Sequence, residues 1–339
     1  MAKERPQTLA VPERGPSLYD VSAALRAPRA LAAFLGLAAG DAYGRPLEFI
    51  RGERVRTLPV SLAPTEFRWT DDTHMAMYLA RAILDVAPRG GPFDEDAFGH
   101  AVAARFVEWA HDPLTPSTAP GNTCLAGVAA YERHRDWRAS GVASSDGCGA
   151  VMRIAPLAFA YAGDTLTRSA EISARVTHAH PNALESAIAA AHLLRWLLEG
   201  EPLGAALVTR AIVSLRGPWH RGGDVARSLE TALALATRTE LRWLDEPAVW
   251  PGDGGWRSGS ALGLALAAAL AWGDDARDAI DRAARIHGDS DSVACLVGMY
   301  LGAAQGLDAL PADMLAALPE RTEIERLASA CAALATRTA

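Results

Sequence analysis

Two acidic clusters far apart in the chain hold its most reactive chemistry: Trp69-Thr70-Asp71-Asp72-Thr73 and Gly288-Asp289-Ser290-Asp291-Ser292. Their carboxylates and neighbouring hydroxyls form the oxygen-rich set that hard divalent cations bind. Brought together, they would build a two-cation site of the kind that activates water or grips vicinal hydroxyls. Helix capping offers a plainer explanation, because Asp, Ser and Thr start helices and acidic residues suit a first turn. A cap uses one side chain, however, and repulsion penalises the surplus. Asp71-Asp72 with Asp289-x-Asp291 exceeds what capping requires.

Each cluster precedes an apolar run at helical spacing. Met75, Tyr78, Leu79, Ala82 and Ile83 follow the first; Val293, Leu296, Val297, Tyr300 and Leu301 follow the second. Both clusters therefore read as the N-terminal edges of helices buried along one face. Similar patterns predict helices over 28–40, 70–87, 94–111, 122–134, 150–162, 167–177, 182–199, 202–215, 222–237, 259–272, 275–286, 291–305 and 322–336. Alternation of period two is weak everywhere and suggests a strand only at 55–61. The expectation is an all-α fold, a single compact multi-helix domain over 23–339 behind a flexible, Pro- and charge-rich arm at 1–22. Gly252–Gly255 reads as an internal loop, with Trp250 and Trp256 either packed or serving as lid or stacking residues.

Half of the 339 residues are hydrophobic and 22% are charged, enough for a large core. A net charge of -7 without a basic block argues against nonspecific nucleic-acid or anionic-membrane binding. Cys124, Cys148, Cys295 and Cys331 show neither CxxC spacing nor disulfide-scaffold density, which favours a reducing cytoplasm and disfavours structural zinc. No signal peptide is read at the N-terminus, and no apolar stretch is long enough to span a bilayer.

Four further segments exceed ordinary connectors. In Gly36–Phe49 the glycines permit tight turns, Asp41 is a further acid, and Glu48 sits beside apolar residues as an acid/base group or a salt-bridge partner. Gly121-Asn122-Thr123 leads into an apolar helix that Asn122 or Thr123 could cap. Ser145-Asp146-Gly147-Cys148-Gly149 presents a Gly-x-Gly turn whose N–H groups suit a phosphate. His178 and His180 flank Ala179 before Pro181, as ligand contacts or as parts of a turn.

Taken in order, GLAAGDAYGRPLEF, WTDDTHMAMYLA, APGNT, SDGCGAVMRIAP, THAHP and GDSDSVACLVGMYLGAAQG resemble the ADP-ribosylglycohydrolase family over roughly 30–310. The resemblance implies an all-α fold, two divalent cations (Mg2+ or Mn2+), and hydrolysis of the bond between ADP-ribose and an acceptor. It implies metal ligands at Thr70, Asp71, Asp72, Asp289, Asp291 and Ser292, and an acid/base role shared between Asp72 and Glu48. Substrate contacts would come from Asp41, Gly121, Asn122, Ser145, Gly147, Cys148, Gly149, His178 and His180. The family's closing block is usually GGDTDT; here His287 replaces the first glycine and Ser290 and Ser292 replace the threonines, which keeps the hydroxyls. Asp146 stands where many relatives carry an amide or a lysine, and an acid there would repel a diphosphate.

The implied substrate is an ADP-ribosylated protein, with arginine the leading linkage and serine-linked or other ADP-ribose conjugates as alternatives. A non-catalytic ADP-ribose-binding member of the fold is a second reading. An HD-type phosphohydrolase, prompted by His111-Asp112, is a third.

Overall fold

A computed structural model describes residues 18–87, 92–238, 242, 244, 250 and 253–334, with side chains from residue 26 onward. Residues 1–17 of the expected arm and Gly252 of the expected loop lie outside the described residues. Among those described, the chain forms fourteen α-helices and no strand. The first seven are α1 (Leu18–Gly44), α2 (Asp71–Asp85), α3 (Glu95–His111), α4 (Asn122–His134), α5 (Ala155–Ala160), α6 (Gly163–Arg175) and α7 (Pro181–Leu198). Then come α8 (Ala205–Leu215), α9 (Val225–Ala236), α10 (Ser258–Trp272), α11 (Ala276–Ala284), α12 (Ser290–Gln305), α13 (Ala312–Ala317) and α14 (Arg321–Leu334).

The expected strand at 55–61 does not form. Glu53–Arg56 is a short 3₁₀ turn, and its surroundings offer an arginine instead of a partner strand. Arg285 Nη1 donates to Val55 O at 2.7 Å and to Leu58 O at 3.0 Å.

The core is built on helices without a polar face. Every residue of α10 from Ser258 to Ala269 is buried, as is every residue of α12 from Ser290 to Ala303. A helix buried on all sides needs neighbours all round, and for α12 the most intimate is α1.

The glycines at 36, 40 and 44, expected to make turns, lie inside α1 and serve close approach. A Cβ at Gly36 would lie 2.2 Å from Gly298 O, one at Gly40 2.0 Å from Ala294 O, and one at Gly44 2.4 Å from Asp291 Cα. The partners run backwards along α12, so the helices are antiparallel and nearly in backbone contact. That contact lays the acidic start of α12 against the end of α1, where Asp41 lies, and the turn beyond it that carries Glu48. Gly40→Ala is expected to cost about 3 kcal/mol, since only backbone movement can admit the methyl. A urea denaturation midpoint, compared with wild type at equal m-value, checks it.

Candidate active site

Asp41 clasps the start of α2 to α1. Its Oδ1 accepts from Thr70 N at 2.8 Å, and its Oδ2 accepts from Thr73 N at 3.0 Å and Thr73 Oγ1 at 2.6 Å. Thr70 itself caps α2, accepting from Asp72 N at 3.4 Å. With the cap supplied by Thr70, both Asp71 and Asp72 are surplus to it. At α12, Asp289 occupies the cap position but its side chain makes no capping hydrogen bond. Its Oδ2 instead accepts from Cys148 Sγ at 3.0 Å. Capping alone therefore does not explain either cluster.

Five carboxylates, Glu48, Asp71, Asp72, Asp289 and Asp291, line one cavity of about 230 Å³. Ligand atoms of Glu48, Asp289 and Asp291 lie within 4.8 Å of one another. Asp71 Oδ2 accepts from Gly121 N at 3.0 Å. Asp72 Oδ2 and Asp291 Oδ1 are buried without a hydrogen-bond partner. Buried carboxylates left with free oxygens carry a large penalty unless a cation or a proton arrives, so this donor set fits a hard divalent cation.

The carboxyls show the same tension in their proton affinity. Burial, with Asp289 and Asp41 nearby, pushes Glu48 up to about 7. Burial also pushes Asp71 up to about 8, against the hydrogen bond from Gly121. Burial and repulsion from neighbouring acids raise Asp72 and Asp291 well above the ordinary carboxylate range. Asp41 rises to about 6 through burial, although its threonine partners oppose the shift.

The expected substrate contacts, with the expected hydroxyl ligands Thr70 and Ser292, divide between cavity wall and support. Gly121, Asn122, Gly147, Cys148, Gly149, His178 and Ser292 line the cavity. His178 is pushed down to about 3 by burial, with Arg153 adding to the effect, so it faces the cavity as a neutral ring. Asp41 and Thr70 stand behind the wall as clasp and cap, and Ser145 pairs with Thr123 at 3.0 Å. Neither Asn122 nor Thr123 caps α4, whose cap position is Gly121 without a side-chain bond. His180 stays outside the cavity wall; its ring accepts from Asn182 N at 3.1 Å and caps α7.

Asp146 does not face the carboxylates. It turns to a neighbouring cavity of about 500 Å³, which Trp250, Asn182 and Arg257 also line. There it accepts from Asn182 Nδ2 at 3.1 Å and lies 3.9 Å from Arg257 Nε. The turn holding Cys148 separates the two cavities, pinned by Cys148 N–H on Trp256 O at 2.9 Å and Ser258 N–H on Asp146 O at 2.8 Å. His287 Nε2 lies 3.2 Å from Gly52 O, not in the cavity wall.

Sequence reasoning misses Phe49 and Arg153, and leaves Trp256 open between packing and a lid or stacking role. Phe49 and Trp256 line the cavity while remaining 53% and 47% exposed, an aromatic rim around an acidic floor. Phe49 holds a positive φ of 54° and donates its N–H to Gly288 O at 2.9 Å, tying the Glu48 turn to the second acidic cluster. Arg153, wholly buried, braces the wall from behind through Ser173 O at 2.8 Å and Thr177 Oγ1 at 2.7 Å. The HD reading finds no support: His111 pairs with Glu132 at 2.8 Å at the surface, and Asp112 accepts from Tyr78 Oη at 2.6 Å.

An all-helical domain with acidic helix starts converging on one cavity belongs with the ADP-ribosyl glycohydrolases. The chain is a member of the ADP-ribosylglycohydrolase family, whose model matches residues 22–339. It is 26% identical to ADP-ribosyl-[dinitrogen reductase] glycohydrolase of Rhodospirillum rubrum, over 95% of this chain and 98% of that protein. It is also 26% identical to ADP-ribosylarginine hydrolase Tri1 of Serratia proteamaculans, over 88% of this chain and 78% of that protein. A solved structure described as an ADP-ribosylglycohydrolase-related protein complex superposes with a TM-score of 0.70 at 29% identity, covering 91% of this chain and 99% of that one. No helix among the described residues is long and apolar enough to cross a membrane.

Proposed function

We propose that this chain hydrolyses the glycosidic bond between ADP-ribose and an acceptor, most readily an arginine side chain on protein, using two divalent cations, Mg2+ or Mn2+. The observation that carries the reading is the convergence of five carboxylates, from the starts of α2 and α12 and from the turn after α1, on one cavity. Asp71, Asp72, Asp289, Asp291 and Ser292 would hold the cations, with Thr70, the remaining ligand the resemblance implies, behind them as the cap of α2. When bound, the cations neutralise the acids and grip the ribose hydroxyls. The arginine assignment rests on the relatives named for dinitrogen reductase and for ADP-ribosylarginine.

The chain's own groups supply the rest. An oxocarbenium-like state at the anomeric carbon is stabilised by the surrounding carboxylates. Glu48, in the cavity wall beside Asp289 and Asp291, is placed to carry a proton to the leaving nitrogen and to take one from water. Asp72 shares that candidacy if it is not fully engaged as a ligand. Gly147–Gly149 and neutral His178 would position the diphosphate side. The turning of Asp146 into the neighbouring cavity, where Asn182 and Arg257 partner it, eases the repulsion it would otherwise cause there. Unpaired cysteines are consistent with a cytoplasmic setting.

The deciding assay measures ADP-ribose release from arginine-linked and serine-linked substrates with Mg2+, Mn2+ or chelator. Release should require the cation and favour arginine. Equal cleavage with chelator present would sink the metal-dependent reading, and preference for serine would move the linkage. Cation and ADP-ribose binding without release would establish the non-catalytic alternative.

A further inference from the structure

Among the described residues, three large hydrophobic side chains stand exposed, Phe49, Val213 and Trp256, and two of them line the acidic cavity. Single exposed apolar residues are ordinary, but two aromatics converging on one cavity of carboxylates are not. Neither ring stacks on another ring or on an arginine among the described residues, so neither is spent on an internal contact of that kind.

Phe49 is held there against its own backbone preference. Its φ of 54° is a conformation that bulky side chains avoid, and it persists only where the surroundings over-determine it. Here Gly288 O accepts from Phe49 N at 2.9 Å, Leu47 O accepts from Ile50 N at 3.1 Å, and His287 Nε2 lies 3.2 Å from Gly52 O. The strained turn thus keeps Phe49 next to Glu48, with both residues in the cavity wall.

We propose that Phe49 selects the acceptor: its ring stacks on the planar guanidinium of ADP-ribosylated arginine while the linking nitrogen lies at Glu48. The proposal rests on the hydrolase reading above and deepens it. A guanidinium is flat, delocalised and weakly hydrated, so it lies on aromatic faces and is attracted by the ring quadrupole. The carboxylates of the cavity favour the same cation. A serine acceptor brings neither plane nor charge, and the ring offers it nothing comparable. Trp256 is tied to a different part of the wall, since its carbonyl accepts from Cys148 N at 2.9 Å, within the Gly147–Gly149 turn that would face the diphosphate.

The test measures ADP-ribose release from an arginine-linked peptide with Mg2+ in wild type, Phe49→Asn, Phe49→Trp and Phe49→Leu. Asparagine tolerates a positive φ, so the turn and the Glu48 it carries stay in place. Phe49→Asn should raise KM about fivefold, the upper range of an exposed cation–π contact, with kcat little changed. The inhibition constants of free ADP-ribose and of a serine-linked peptide, which report the rest of the site, should not move. Phe49→Trp should keep the wild-type KM, whereas Phe49→Leu, apolar but without a π face, should not. The melting temperature of Phe49→Asn should be no lower than that of wild type, because strain is relieved; a merely structural ring would cost stability and leave KM alone. An unmoved KM, a KM kept as well by leucine as by tryptophan, or an ADP-ribose inhibition constant that rises in step with KM overturns the proposal, the last by assigning the ring to the nucleotide. Release with an unmoved KM leaves the hydrolase standing without the stack. If wild type releases nothing, calorimetric binding of the intact arginine-linked peptide decides. An affinity above that of ADP-ribose, lost in Phe49→Asn, keeps the stack and removes the hydrolase; equal affinities remove both.

Discussion

Asp72→Asn is expected to lower cation-dependent ADP-ribose release by about 10³-fold while raising the melting temperature of the metal-free protein at pH 8. Asparagine matches aspartate in shape but carries no charge, so the two effects have one cause and opposite signs. Asp72 is buried beside Asp41, Asp71 and Asp289, and its Oδ2 lacks a partner. Neutralising it relieves repulsion in the empty cavity, but removes a ligand when the cations bind. Several kcal/mol of transition-state stabilisation depend on those cations, and each 1.36 kcal/mol is tenfold in rate. Activity and melting temperature measured on the same preparation check the pair of effects. Glu48→Gln is the necessary companion. If Glu48 moves the proton, its loss should reduce kcat by about 10²–10⁴-fold with manganese affinity intact. If it is chiefly a ligand, affinity falls instead. A Asp72→Asn protein with wild-type activity would remove the first acidic cluster from the chemistry.

The extent to which this site can be read from sequence follows from which constraints are local. The acidic clusters stand out because a helix start needs one cap, and Thr70 supplies it at α2. The helices stand out because most are long and periodic; α13 was missed because six residues, Ala312–Ala317, show no repeat to read. Other features depend on what the fold places opposite. Glycines at 36, 40 and 44 look like turn formers until α12 is seen against them. His180 and His178 are alike in sequence, yet one caps a helix and the other lines the cavity. Phe49 and Trp256 lie more than two hundred residues apart and share one rim only because both are tied to the segment around Gly288. The link from Trp256 runs through Gly254, whose carbonyl accepts from Asp289 N at 2.9 Å.

The metal-free protein should lose stability as pH rises from 6.5 to 8, and saturating Mg2+ or Mn2+ should restore it. Burial gives Glu48 an affinity near 7 and Asp71 one near 8, against ordinary values of 4.5 and 3.8. Asp72 and Asp291 move the same way. A carboxyl that holds its proton more tightly when folded contributes stability below its unfolded pKa and loses it as pH rises through the folded one. Buried histidines act in the opposite sense. His74 and His192 fall to about 4 and His178 to about 3 from 6.5, so their contribution is present above pH 6.5 and is lost below it. Between pH 6.5 and 8 the acids therefore act with little opposition. A chelated sample should melt a few °C lower at pH 8 than at pH 6.5, given how melting temperature scales with stability in a chain this size. Cation binding replaces the lost protons and adds its own mass-action stabilisation, largest at the higher pH. Differential scanning calorimetry at both pH values, with chelator and with cation, gives four numbers. A melting temperature that is pH-independent with chelator, or a cation effect no larger at pH 8 than at 6.5, would show that the carboxylates do not share one charged cavity in solution.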